Sequence, residues 1–336
     1  MKQSTTFEPP PISEATASLE AGVLAGKRRA LAKAITLIEN TRADRRAEAN
    51  GLVSRILPHT GKAIRVGISG VPGVGKSTFI EALGLFLVKT GLKVAVLAVD
   101  PSSRISGGSI LGDKVRMEYL ARETNAFIRP SPSAGTLGGV ARRTRESMLL
   151  CEAAGYDVIL IETVGVGQSE IAVSEMVDFF LVLLLPNAGD EIQGIKKGII
   201  EMADGLVVHK ADSGNEDQAT QAQRHYRNAV NLVRAKRKDW RAPVLRASST
   251  EGHGIDKVWD MVSRHRRLLC ERNQLESMRS AQMQRWFQTA LEEELLDRFH
   301  EDPRIRERLA DLQARMRARR LSPHHAAEHL VDLFLS

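Results

Sequence analysis

An α/β fold with a mostly parallel, roughly seven-stranded sheet flanked by helices follows from three features of these 336 residues. From Ile64 onward, short apolar runs rich in Val, Ile and Leu alternate with longer stretches of helical period, the texture of a parallel sheet wrapped by helices. The run at 179–185 is continuously apolar, as in a strand covered on both faces, and is far shorter than the roughly 20 residues of a membrane helix. With 43% hydrophobic and 26% charged residues, the composition is that of an ordinary globular chain with enough apolar material for one large core.

The elements follow in order. The opening segment is polar, carries Pro9, Pro10 and Pro11, and has one lysine but no apolar core, so it does not read as a secretory signal and the expected location is the cytoplasm. Ser13 is placed to cap a helix whose apolar residues are Leu19, Val23, Leu24, Leu31, Ile35 and Ile38. A second helix through Leu52, Ile56 and Leu57 ends before Pro58, which makes 1–61 a helical extension. Strands are expected at 64–69, 93–99, 126–129, 157–161, 178–185, 205–209 and 243–247. Helices are expected at 77–89, 114–122, 140–153, 195–202, 216–233 and 255–269, with Gly91 and Gly155 as stops. These elements define a main domain at 62–269. Beyond it the strand signal vanishes, and amphipathic patterns at 283–299, 305–319 and 324–334, with Pro303 and Pro323 near helix starts, make 270–336 a helical arm.

Charge and cysteines exclude several classes. The net charge of +7 is matched by the segment 224–246 alone, which holds eight Lys/Arg against Asp239. Few aromatics interleave there to stack bases, so a solvated helix end is preferred over a nucleic-acid surface. Cys151 and Cys270 stand far apart without neighbours at metal-ligand spacing, which argues against a disulfide framework, a cysteine zinc site and a nickel-handling centre. His324, His325 and His329 lack a further fixed ligand and read as a terminal surface helix.

The chemistry begins at Gly70-Val71-Pro72-Gly73-Val74-Gly75-Lys76-Ser77, followed by Thr78, a full G-x-x-x-x-G-K-[ST] P-loop between an apolar strand and a helical pattern. The glycines let backbone N–H groups turn inward as an anion nest, Lys76 reaches the terminal phosphates, and the Ser77 hydroxyl ligates Mg²⁺. Asp100 and Asp113 flank a glycine-rich loop after the second strand, and their oxygens suit Mg²⁺ and its retained waters. Each taken singly also suits a helix cap.

Glu162 closes the strand at 157–161 and is followed three residues later by Gly165, the layout of a switch: the acid holds a Mg²⁺-bound water, and the glycine N–H follows the γ-phosphate. Where Ras-like enzymes place a water-orienting Gln, this chain has Val166, which leaves Asp100 as the candidate for the water. Lys76, Asp100 and Glu162 are therefore the catalytic candidates.

His209-Lys210-Ala211-Asp212 resembles the N-K-x-D base-reading motif of GTPases, with His209 in place of Asn. Asp212 would accept guanine N1–H and the 2-amino group, while adenine presents an acceptor where guanine presents a donor. Ser248 and Ser249 resemble the accompanying base-contact loop, with Ser249 where Ala is usual. A polar loop holding Asp190, Glu191, Gln193 and Lys196 follows the most apolar strand, where a strand end faces the ligand crevice and a mobile charged loop would report nucleotide state. A solvated loop capping the next helix is the equal alternative.

Together, Gly70–Ser77, the loop 100–113, residues 129–139, 162–170 and 189–198 resemble the MeaB/ArgK family, the methylmalonyl-CoA mutase-associated P-loop GTPases, over the whole central domain. The resemblance implies a GTPase using Mg²⁺ and GTP/GDP, a homodimer formed through the C-terminal arm, and an adenosylcobalamin-dependent acyl-CoA mutase as partner, whose cofactor delivery it gates and which it protects. It implies that Asp100, Asp113 and Glu162 serve the metal, and that Asp190, Gln193 and Lys196 form a third switch toward the mutase. The rival reading is a P-loop kinase or ATPase linked to arginine/ornithine transport.

Overall fold

The computed structural model describes residues 9–40, 42–98, 117–130, 137–163, 169–186, 197–212, 214–233 and 236–336. The expected strands are all there, each within one residue of its expected ends: β1 (Ile64–Gly70), β2 (Val94–Ala98), β3 (Ala126–Pro130), β4 (Val158–Glu162), β5 (Phe179–Leu184), β6 (Gly205–Val208) and β7 (Val244–Arg246). They form one seven-stranded sheet of order β3-β2-β4-β1-β5-β6-β7, and every pairing is parallel. Strand β1 lies in the middle, with Ile68 opposite Glu162 of β4 on one side and Leu181 of β5 on the other.

The residues between Ser13 and Ile38 form two helices, a correction to the single helix expected from the apolar spacing. Helix α1 (Glu14–Leu24) starts on the Ser13 cap, whose hydroxyl accepts the Thr16 N–H, and α2 (Arg28–Glu39) follows. Gly26, at φ +68°, makes the turn between them. Leu31, Ala34 and Ile35 beyond the turn are as buried as Val23 before it, so one core served by two helices mimics one helical stripe. Helix α3 (Ala43–Ile56) runs into a short 3₁₀ turn (Leu57–His59), and α2 and α3 both pack on α6 (Leu137–Ala153), the helix between β3 and β4.

One sheet face is covered by α4 (Lys76–Lys89) and α10 (Ile255–Glu271), which bury Phe79, Ile80, Leu83 and Leu87 together with Val258, Met261 and Val262 against Val66, Ile68 and Leu160. Each of these side chains contributes about 1.5–3 kcal/mol by leaving water. The other face meets α6 and α7 (Ser169–Ser174); Gly67 is required there, because a Cβ would lie 2.8 Å from Val173 Cγ1. Helices α5 (Glu118–Arg122), α8 (Lys197–Met202) and α9 (Glu216–Leu232) complete the set up to α10. The arm contains α11 (Gln274–Glu301), α12 (Pro303–Arg317) and α13 (Pro323–Leu335), the last two begun by proline behind Asp302 and Ser322 caps. By contact density the chain divides into two compact units, Met1–Arg279 and Ser280–Ser336, and the second has its own small core of Ile305, Leu312, Ala326 and Leu330. No helix among the described residues is long and apolar enough to cross a membrane.

Buried polar groups stitch the sheet at the end away from its carboxyl edge. The Asp204 carboxylate accepts the Phe180 N–H at 2.9 Å and the Lys236 ammonium at 2.8 Å, and Trp240 donates to the Asp204 carbonyl at 2.7 Å. The His265 ring stands edge-on to Phe179 and Trp240, with Nε2 3.9 Å from Asp204. Burial drives its pKa down to about 4, against a smaller upward pull from Asp204. The unfolded chain protonates His265 near pH 6.5 and the folded chain does not, so stability is full above pH 6.5 and falls as pH drops toward 4. The loss due to this residue between pH 7 and pH 5 is expected to be about 2 kcal/mol. Chemical denaturation of His265→Gln at both pH values should show that much less acid destabilisation than the parent chain.

Candidate nucleotide site

The site forms where β1 ends between two neighbours whose connections diverge, the crevice in which open parallel sheets bind ligands. Two glycines in this turn are sterically obligatory. A Cβ on Gly70 would sit 2.6 Å from the Leu183 carbonyl oxygen of β5, and a Cβ on Gly75, at φ +91°, would sit 2.9 Å from the His209 ring. Gly75 caps α4, whose first-turn N–H groups and dipole favour an anion at this point. Lys76 donates from Nζ to the Gly70 carbonyl at 2.9 Å and to the Val71 carbonyl at 3.3 Å, folded back over the loop it will serve. Burial lowers its pKa, and the carboxylates of Glu162 and Glu170 oppose that shift. Val74 is fully buried beneath the turn and anchors it to the core.

On the metal side, Ser77 Oγ donates to Glu162 Oε1 at 2.9 Å. A hydroxyl and a carboxylate from two different elements are hard oxygen donors of the kind Mg²⁺ takes while retaining most of its water, so the residues present fit that ion. Asp100, Asp113 and Gly165 lie outside the described residues; Ala98, two residues before Asp100, is the register partner of Glu162. The sequence reading passed over Glu170, which is 1% exposed on α7, with neither carboxylate oxygen hydrogen-bonded among the described residues. Ser69 Oγ and Thr163 Oγ1, at the ends of β1 and β4, are likewise buried without a hydrogen-bond partner among the described residues. An acid in the first turn of a helix ordinarily reads as a solvated charge, and only burial marks this one out.

On the side of β6 and β7, three loops meet. Lys210, at φ +57°, reaches across to the Gly73 carbonyl at 2.8 Å, which lays its stem along the P-loop. Asp212 Oδ1 accepts from the hydroxyls of Ser248 and Thr250, the latter at 2.9 Å. The Ser248 bond is the main cause holding the Asp212 carboxyl below its ordinary pKa, with Thr250, His209 and Lys210 adding to it. Ser248 is fully buried and braces Asp212, while Thr250, which the sequence reading did not single out, shares that task. His209 is buried between Val74 and Ser249. Thr78 continues α4 behind Ser77. Asp190, Glu191, Gln193 and Lys196 lie outside the described residues, immediately before α8.

A central P-loop on a parallel sheet, an acid opposite its serine and a lysine reaching the P-loop from the end of β6 are the features of a P-loop GTPase. The family described as "Methylmalonyl Co-A mutase-associated GTPase MeaB" matches residues 31–304. A mouse protein, "Methylmalonic aciduria type A homolog, mitochondrial", is 46% identical over 328 residues, covering 95% of this chain and 79% of that protein. The "GTPase ArgK" of Escherichia coli is 48% identical over 272 residues, 81% of this chain and 82% of that one. A solved structure described as "LAO/AO transport system kinase" superposes with a TM-score of 0.75 at 37% identity, covering 97% of this chain and all of that one. The chain belongs to the MeaB family, and it is a nucleotide-binding protein that hydrolyses GTP.

Lys76→Ala should weaken GTP binding roughly 100-fold, the loss of charge-assisted bonds to phosphate, and leave the far-ultraviolet circular dichroism unchanged. Isothermal titration gives the affinity; affinity equal to the parent's would remove Lys76 from the phosphate site.

Proposed function

We propose that this chain is a G-protein chaperone that gates adenosylcobalamin delivery to, and protects, a B₁₂-dependent acyl-CoA mutase such as methylmalonyl-CoA mutase. The family description, which names a mutase-associated GTPase, carries the choice of partner. Lys76 and the P-loop backbone at 70–78 hold the phosphates, and Ser77 with Glu162 holds Mg²⁺, joined by Asp100 and Asp113. When bound, the ion would neutralise charge on the terminal phosphates. Gly165 reads the γ-phosphate, and the loop with Asp190, Glu191, Gln193 and Lys196 passes that state to the mutase. Affinity capture of the full chain from its native extract should recover a B₁₂-dependent mutase in a nucleotide-dependent manner; recovery of transport components alone would overturn the assignment.

The rival reading, a phosphotransferase tied to amino-acid transport, shares the P-loop and differs in the acceptor. The braced carboxylate of Asp212 favours guanine. Asp212→Asn turns one acceptor into a donor facing the guanine amino group, which should cost roughly 3 kcal/mol, or about 100-fold in GTP affinity. Xanthine has a carbonyl at that position, so the variant should gain affinity for xanthosine triphosphate. Equal parent affinity for ATP and GTP, or no gain for the xanthine nucleotide, would remove the base-reading role.

A homodimer through 270–336 is supported by the exposed face of α11, where Met283, Phe287, Leu291 and Leu295 recur every fourth residue and Phe287 is 67% exposed. Arg279 is held within the larger unit by Asp178, so the informative truncation ends the chain after Arg279 and keeps that bond. Sedimentation should then report a monomer that still binds GTP; an unchanged dimer would place the interface elsewhere.

A further inference from the structure

We propose that His209 and Ser249 act as one strut between the guanine-reading loop and the P-loop, each side chain specifying the other, so that the two departures from the usual GTPase motif are a single matched exchange. The proposal rests on the base-reading role of Asp212 given above.

The ring of His209 lies at the end of β6, 3% exposed. Its Nδ1 is 2.7 Å from the Val74 carbonyl oxygen, and a carbonyl only accepts, so Nδ1 carries the proton. In the neutral ring Nε2 then offers a lone pair, and the Ser249 hydroxyl, 2.7 Å away, donates to it. Burial favours the neutral ring, and the charged neighbours Asp212 and Lys210 act in opposite senses upon it. The ring also fills the space left by the missing side chain of Gly75 and meets the edge of Phe79 at 5.6 Å. It is therefore fixed by four neighbours from two stretches of the chain, 74–79 and Ser249.

The consequence is mechanical. Val74 belongs to the loop that cradles phosphate, and Ser249 stands between Ser248 and Thr250, the two hydroxyls that orient Asp212. A bridge from Val74 to Ser249 holds the base reader at a fixed distance from the phosphate cradle. Asparagine, the usual residue at position 209, ends one atom earlier than the imidazole Nε2 and cannot reach across to the Ser249 hydroxyl. Conversely, alanine at 249 would leave a buried imidazole nitrogen without a donor. Each usual residue suits the other, as His209 suits Ser249, while mixed pairs strand a polar atom.

A double-mutant cycle on the full chain tests this. Affinities for GTP and ATP are measured for the parent, His209→Asn, Ser249→Ala, the combined variant, and Ser249→Thr. Each of the first two single changes should weaken GTP binding about tenfold, the combined variant should bind no worse than the weaker single one, and Ser249→Thr, which keeps the hydroxyl, should stay within about threefold of the parent. A combined loss near the product of the two single losses, about 100-fold, overturns the pairing, as does a Ser249→Ala variant indistinguishable from the parent. Should His209→Asn fail to fold, the contrast between Ser249→Ala and Ser249→Thr decides alone, because a purely structural role for the backbone there would not separate them. Equal parent affinity for GTP and ATP would overturn the guanine reading itself, a result distinct from additivity in the cycle.

Discussion

The site depends on how closely the turn after β1 approaches its neighbours. At Gly70 the backbone runs so near the Leu183 carbonyl that no side chain fits, and at Gly75 it runs against the His209 ring. The close approach exists because β1 is the central strand, gripped by β4 and β5 through a long parallel register on both sides. A loop so placed needs no flexibility to be shaped for phosphate: Gly70 and Gly75 bring the backbone in, buried Val74 pins it, and α4 contributes its N-terminal end.

From that fixed turn the other functional groups are set by parallel strand ends. Glu162 closes β4 opposite Ser77 of α4, and His209 follows β6. Asp212 is oriented by hydroxyls that follow β7. In a parallel sheet all carboxyl ends lie on one edge, so residues up to 180 positions apart in the chain converge without any single element carrying the site. The convergence leaves buried polar atoms that secondary structure does not satisfy, and Glu170, Ser69 and Thr163 are the clearest of them.

Charge at the opposite edge has a structural role. Arg65 at the start of β1 pairs with Glu152 of α6 at 2.7 Å, and Asp178 before β5 accepts the Arg65 N–H together with Nε and Nη2 of Arg279. Arg65, Glu152 and Asp178 are buried and Arg279 is half-buried, so losing one of the buried members would strand its partner and cost several kcal/mol. The two edges of one sheet are thus specialised: closed ion pairs where the strands begin, open polar groups where they end.

The sequence by itself determined the seven strands, their parallel character, the P-loop and the position of Glu162 at the end of β4. Each of these is a local pattern: apolar runs too long for alternation, glycines at fixed spacing, an acid directly after a strand. It misjudged the break at Gly26, because two helices sharing one core repeat the period of one. It could not supply the burial of Glu170, the Thr250 bond to Asp212 or the His209–Ser249 contact. These are decided by burial and by contacts between residues 38 to 94 positions apart, and no short-range spacing encodes which strand ends will be neighbours. Only the assembled sheet, with β1 between β4 and β5 and with β6 beside β7, brought a histidine that reads as a lapse in a motif against the serine that completes it.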